Sequence, residues 1–218
     1  MSQLVFKFPF KTSYFQKDFY VSSNNFEAYK LIESYPDWPD KWINIYGPNG
    51  CGKTHLCNII KKKISSLYTL AAHCDERVLS RLEKFKCIII DDYKLDIDED
   101  LLFSIINQSK QLNTYLVIIT KGPIKNLPIK LIDLRSRLNS FLGLGIELPT
   151  DELLRVVISK HFSDKQVKVS SKNLEYIIKN IDRSYEKAIK FVKDIDNLSL
   201  SSGKSININL IKKVIDNE

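Results

Sequence analysis

Apolar residues gather into short, nearly unbroken runs over the first two thirds of the chain and into spaced stripes after that. The runs are Trp42–Tyr46, Tyr68–Ala72, Cys87–Asp91, Tyr115–Thr120 and Leu144–Leu148, all of strand length. Between them, Thr54–Ser66 sets Leu56, Ile59, Ile60 and Ile64 at helical spacing, and Glu99–Leu112 repeats the pattern with Leu102, Phe103, Ile105, Ile106 and Leu112. Asp96, Asp98, Glu99 and Asp100 open the second of these helices, where carboxylates favour the positive end of the helix dipole. Strands apolar on both faces, alternating with helices, predict an α/β fold with a five-stranded parallel sheet covered on both sides. After Pro149 only helical stripes remain, over Asp151–Phe162, Ser171–Asn180, Ser184–Leu198 and Asn207–Asn217. Thr150 and Ser170 or Ser171 read as N-caps, and Ser199–Ser205 as a polar loop.

Gly47-Pro48-Asn49-Gly50-Cys51-Gly52-Lys53-Thr54 follows the first strand and opens the first of these helices. This is the spacing of a phosphate-binding P-loop. Glycines let successive N–H groups turn inward, the helix presents its positive end, Lys53 reaches the outer phosphates, and the Thr54 hydroxyl ligates Mg²⁺. A chance match in a glycine-containing turn would lack the strand before and the amphipathic helix after. Cys87-Ile88-Ile89-Ile90-Asp91-Asp92 supplies the matching Walker B pattern. Asp91 is the candidate to hold the metal through water, and Asp92 to orient or deprotonate the attacking water. Thr120 ends the next strand, in the position of a sensor of the γ-phosphate. Arg137 lies in Asp133-Leu134-Arg135-Ser136-Arg137-Leu138, a predicted helix before the last strand. An arginine there can reach a neighbouring subunit's nucleotide, although from spacing alone Arg135 and Arg137 read more simply as surface residues. The domains expected are a tail over 1–10, an αβα P-loop nucleotide-binding domain over 11–149 and a small all-helical lid over 150–218.

Composition narrows the function classes. Lys and Arg total 33 against 26 Asp and Glu, a net charge of +7, but the lysines are spread over separate segments. Direct, sequence-specific DNA binding is therefore not expected. No apolar run approaches the roughly 20 residues that span a bilayer, and Met1–Phe10 has no signal-peptide pattern, so a cytoplasmic protein away from membranes is expected. Cys51, Cys57, Cys74 and Cys87 include no Cys-x-x-Cys pair, and His55, His73 and His161 form no metal-binding motif, which argues against a zinc site.

Taken together, the P-loop, Asp91-Asp92, Arg135-Ser136-Arg137 and the helical lid resemble the AAA+ core of the bacterial replication initiator DnaA, and more closely its short relatives of the Hda type. Gln3-Leu4-Val5-Phe6 is similar to the N-terminal clamp-binding peptide of Hda proteins, so Gln3, Leu4 and Phe6 are the implied contacts to a DNA polymerase sliding clamp. The segment Asp18–Asn25, with Tyr20 and Val21, resembles the one lining the adenine pocket. Pro36-Asp37-Trp38-Pro39 and Ile181-Asp182-Arg183-Ser184-Tyr185 look like alphaproteobacterial Hda-type proteins.

The resemblance implies ATP or ADP with Mg²⁺ as cofactors, held by Gly47–Thr54 with His55, Tyr20, Val21 and Arg183, and with Thr54 and Asp91 at the metal. It makes Arg137 an arginine finger and DnaA the implied partner, with a homo-oligomer left open. The implied function is negative regulation of replication initiation, by stimulating ATP hydrolysis on DnaA from the clamp. Two departures point to slow intrinsic hydrolysis. Gly122 stands where many relatives carry an Asp, and Glu186 aligns with the lid's sensor arginine, leaving Arg183 and Lys187 nearby. The initiators continue into a DNA-binding helix-turn-helix, whereas this sequence ends at Glu218, so direct origin recognition is not expected. The alternatives are a helicase-loader-like ATPase and a non-hydrolysing module holding its nucleotide.

Overall fold

A computed structural model describes residues 21, 23–203 and 205–216. Gln3, Leu4, Phe6 and Tyr20 lie outside the described residues. The chain passes from one compact unit to a second between Glu147 and Leu148.

The first unit runs α1 (Phe26–Glu33), β1 (Trp42–Tyr46), α2 (Lys53–Lys63), β2 (Ser66–Leu70), β3 (Cys87–Tyr93), α3 (Glu99–Gln111), β4 (Tyr115–Thr120), α4 (Ile132–Asn139) and β5 (Leu142–Gly145). All strand pairs are parallel and the order across the sheet is β2-β3-β4-β1-β5. The expected α/β architecture with a five-stranded parallel sheet is therefore present. Successive side chains leave a strand on opposite faces, and the core divides accordingly. Ile88, Ile90, Leu116 and Ile118 pack with Leu102, Ile105 and Ile106 of α3 and Leu134 of α4. Cys87, Ile89, Val117 and Ile119 pack on the other face with Ala28 and Ile32 of α1 and Leu56, Ile59 and Ile60 of α2.

Several boundaries differ from the periodicity. β2 covers Ser66–Leu70 rather than Tyr68–Ala72, because Ala71–His73 already turn into a 3₁₀ helix. β5 ends at Gly145 rather than Leu148. The pattern also left unassigned α1 and a second 3₁₀ stretch, Glu76–Lys84. Within β3, Ile90 pairs with Ile118 and Tyr93 with Thr120, so the chain inserts an extra residue. Asp92 takes that bulge with a φ of 60°. The shift lets Tyr93 join Ile90 in the same core cluster although the two are three apart.

The second unit holds α5 (Asp151–Asp164), α6 (Ser171–Asn180), α7 (Tyr185–Ser202) and α8 (Ile208–Ile215). Leu154, Ile158, Phe162, Ile177, Phe191 and Ile211 form its core. Thr150 caps α5 by accepting the Leu153 N–H, and Ser170 caps α6 through the Asn173 N–H. The expected loop over Ser199–Ser205 is corrected: α7 runs on through Ser202, and the Ser201 and Ser202 hydroxyls donate back to the Leu198 carbonyl. Gly203, at a φ of 64°, ends it.

Candidate functional site

The C-terminal ends of the parallel strands lie at one edge of the sheet, and the P-loop leaves β1 there. Gly47 N–H donates to the Thr120 carbonyl at 3.3 Å, tying the start of the loop to the end of β4. A Cβ on Gly47 would stand 2.2 Å from the Ile146 carbonyl oxygen and 2.9 Å from Cys51 Sγ, so only glycine fits. Gly50 and Gly52 adopt φ values of 75° and 103°, the left-handed region that glycine enters without steric cost. Gly52 is also the N-cap of α2, and no side chain caps that helix start. Pro48 and Asn49 are exposed, Cys51 is buried beneath the loop, and His55 is half-buried. Burial pushes the Cys51 thiol above its ordinary pKa, and the nearby Lys53 charge offsets this only in part.

Lys53 turns back over the loop. Its ammonium donates to the Gly47 carbonyl at 2.7 Å and to the Pro48 carbonyl at 2.8 Å. Thr54 follows it on the first turn of α2, with an exposed side chain.

Asp91, two residues before the end of β3 and paired in register with the last residue of β2, is 5% exposed and accepts a hydrogen bond from the Tyr68 hydroxyl of β2 at 2.8 Å. Burial, followed by the hydrogen bond and charge of Asp91, raises the pKa of the Tyr68 phenol, so the donor stays protonated. The Lys61 ammonium lies 4.7 Å above the same ring. Asp92, carried outward on the bulge, is exposed and pairs with Lys94 Nζ at 2.6 Å. The two adjacent acids therefore occupy different environments, one buried and hydrogen-bonded, the other solvated and ion-paired.

Thr120 is 2% exposed, and its hydroxyl accepts from Asn44 Nδ2 at 2.8 Å while donating to the Gly122 carbonyl at 2.7 Å. Asn44 lies in the middle of β1 at 1% exposure, and also donates to the Ile118 carbonyl and accepts the Ile124 N–H. Neither Asn44 nor Tyr68 stands out as a site residue from motif spacing. A polar residue inside the apolar run Trp42-Ile43-Asn44-Ile45-Tyr46 is the signal that points to Asn44.

On α4 the two arginines differ. Arg135 donates through Nε to the Ile129 carbonyl at 3.2 Å and through Nη2 to the same oxygen. Arg137 is half-buried, and its side chain has no hydrogen bond or ion pair among the described residues. In the second unit, Arg183 holds Asp151 through two contacts of 3.0 Å, Nε to Oδ1 and Nη2 to Oδ2. Val21 is exposed. No helix among the described residues is long and apolar enough to cross a membrane.

Known proteins share this fold. A family model described as RNA helicase matches residues 43–130, from β1 past the end of β4. The chain is 27% identical to the chromosomal replication initiator protein DnaA of Borreliella afzelii, over 96% of its own length and 49% of the initiator's. It thus spans about half of that relative. Domain III of Thermotoga maritima DnaA superposes with a TM-score of 0.80 at 18% identity, over 96% of this chain and 98% of that one. AMPPCP-bound DnaA from Aquifex aeolicus superposes with a TM-score of 0.70 at 19% identity, over 88% of this chain and 68% of that one. The fold is that of a DnaA-like AAA+ domain.

Proposed function

We propose that the chain binds ATP or ADP at Gly47–Thr54 and regulates the replication initiator DnaA in the manner of Hda-type proteins. One arrangement carries the nucleotide part of this reading. Gly50 and Gly52 turn the loop through left-handed conformations, Lys53 folds its ammonium over it, and α2 starts without a side-chain cap. Backbone N–H groups, a helix N-terminus and one cation thus serve the same anion. The oxygen donors Thr54 and Asp91, on α2 and near the end of β3, suit a hard cation such as Mg²⁺. Bound Mg²⁺ would draw charge from the phosphate oxygens. Asp91 is held by Tyr68 for this task, and Asp92 and Thr120 serve the attacking water. A DnaA that binds the ATP analogue AMPPCP shares the fold, which supports the reading.

Arg137 is the residue offered to ATP on DnaA. Its side chain has no competing partner among the described residues, unlike Arg135. Gln3, Leu4 and Phe6 are proposed to seat the protein on the sliding clamp. Single-turnover hydrolysis of ATP preloaded on DnaA, with clamp, DNA and this protein, tests the whole. Wild type should accelerate it, and Arg137→Ala should lose the acceleration, a term worth roughly 10³–10⁵ for arginine fingers. Equal acceleration by both removes Arg137 from the mechanism. Deletion of residues 1–8 should abolish clamp binding, and unchanged binding overturns the clamp assignment. The competing reading, a module that holds its nucleotide without turnover, draws on the Asp92–Lys94 pair, which occupies the candidate base. Absence of any effect on DnaA, together with copurifying ADP, selects it.

A further inference from the structure

We infer that Asn44 is a positioning residue that fixes the Thr120 hydroxyl as a hydrogen-bond acceptor, so that Thr120 can orient water but cannot donate to a phosphate oxygen. The inference rests on the proposed placement of Thr120 beside the terminal phosphate.

Every assignment in the network is forced by what each group can do. The Ile124 backbone N–H can only donate, at 2.9 Å, so the Asn44 atom facing it is the oxygen. The Ile118 carbonyl can only accept, at 3.0 Å, so the atom facing it is the nitrogen. The amide orientation therefore follows from its neighbours rather than from a choice between two equivalent poses. The same nitrogen faces Thr120 Oγ1 at 2.8 Å and can only donate, which uses one of the hydroxyl's acceptor positions. The Gly122 carbonyl, at 2.7 Å, can only accept, which uses the hydroxyl's single proton. One acceptor lone pair is left, and no proton.

Burial makes the arrangement costly to undo. Asn44 and Thr120 are 1% and 2% exposed, and each broken bond would strand a buried polar group. The network also sits where a signal can be read, because the Thr120 carbonyl accepts the N–H of Gly47, the first residue of the P-loop. Asn44 pairs in register with Ile118 and Tyr46 with Thr120, so the amide spans from β1 to the end of β4 without distorting the ladder.

The test compares wild type with Thr120→Val, Thr120→Ser, Asn44→Ala and the Asn44→Ala/Thr120→Val double variant. Affinities for fluorescent ATP and ADP analogues and single-turnover hydrolysis are measured for each. Thr120→Val should slow hydrolysis at least about tenfold, as expected when a reacting group loses its orientation, with the ratio of ATP to ADP affinity unchanged within about twofold. Thr120→Ser should restore the rate. Asn44→Ala should slow hydrolysis alone and add nothing in the Thr120→Val background. A Thr120→Val protein that loses ATP relative to ADP by about tenfold or more, the scale of a hydrogen bond to a charged group, overturns the acceptor assignment. Additive losses in the double variant overturn the role of Asn44. A separate readout covers an unfolded Asn44→Ala or an immeasurable rate. In the free wild-type protein the Thr120 hydroxyl proton should be visible by NMR, protected from exchange and close to Gly122, and a rapidly exchanging proton overturns the network. A wild type that binds neither nucleotide removes the proposed function, while the hydroxyl proton still decides the network.

Discussion

The Glu99 carboxylate, in the first turn of α3, accepts the backbone N–H of Leu131 at 2.7 Å, immediately before α4 begins. The same carboxylate accepts the Lys130 N–H at 3.0 and 3.1 Å. Leu131 is the N-cap of α4, whose N–H has no partner within the helix, and Lys130 precedes it, so an acid 31 and 32 residues earlier in the chain supplies the acceptor for both amides. The helix carrying Arg137 is thus fastened to the helix that follows the Asp91–Asp92 strand.

Glu99→Gln should loosen the start of α4. The hydrogen bonds to Lys130 and Leu131 hold the Glu99 pKa below its ordinary value. Its contribution is therefore complete above the ordinary carboxylate range and fades as the pH falls through the lowered value. Amide exchange at residues 130–135, corrected for intrinsic rates, should rise on acidification in wild type. In Glu99→Gln it should be raised already at neutral pH and lack that transition.

Arg135→Ala and Arg137→Ala should separate in stability. Arg135 donates through both Nε and Nη2 to the carbonyl of the buried Ile129, and losing this pair at a partly exposed site costs about 1 kcal/mol, or roughly 2–4 °C in Tm for a chain of this size. Arg137 has no such bond, so its removal should leave Tm within about 1 °C in a thermal melt.

Lys53→Ala should leave the fold intact and weaken ADP binding by roughly tenfold to a hundredfold, the range for a hydrogen bond to a charged group. Fluorescent ADP titration, with far-UV circular dichroism as the folding control, reads both. Unchanged affinity in a folded variant removes the P-loop from the function.

Gly47→Ala acts through packing. The new methyl must displace the Ile146 carbonyl, so a loss of about 1–3 kcal/mol is expected by urea denaturation. The loss should appear in the absence of any nucleotide.

The sequence showed the parts of the fold that depend on local pattern. β1 and β4 matched their apolar runs residue for residue, since each is buried on both faces and bounded by residues that break the run, Lys41 and Gly47 for β1 and Thr114 and Lys121 for β4. Glu99–Gln111 was equally plain, with acids at its start and a stripe along one face. What escaped depends on contacts distant in sequence. The bulge at Asp92 exists only relative to β4, so an apolar run ending in two acids cannot reveal which acid turns outward. Asn44 finds its partners near residue 120, and periodicity marks it only as an interruption. Ser199–Ser202 look like loop by composition, yet Leu198 packs against the core of the second unit and the backbone ladder continues until the Gly203 N–H donates to the Ser199 carbonyl. The glycine-dependent turn from β1 into α2 over Gly47–Thr54 was legible because its spacing encodes backbone geometry directly. The bond from Tyr68 to Asp91 was not, because it joins two strands that the sequence does not pair.

The close approach of Ile146 to Gly47 also bears on how such a motif would decay over generations. In a descendant that no longer used nucleotide, the first glycine would still be kept, because the neighbouring carbonyl leaves no room for a side chain. Thr54, exposed and without a packing role, would be free to drift first, and Lys53 after it, since its bonds to the loop's own carbonyls are partly solvated. A lineage keeping Gly47 but losing Lys53 and Thr54 would therefore record an abandoned ligand, and the glycine by itself would testify only to an architecture still standing.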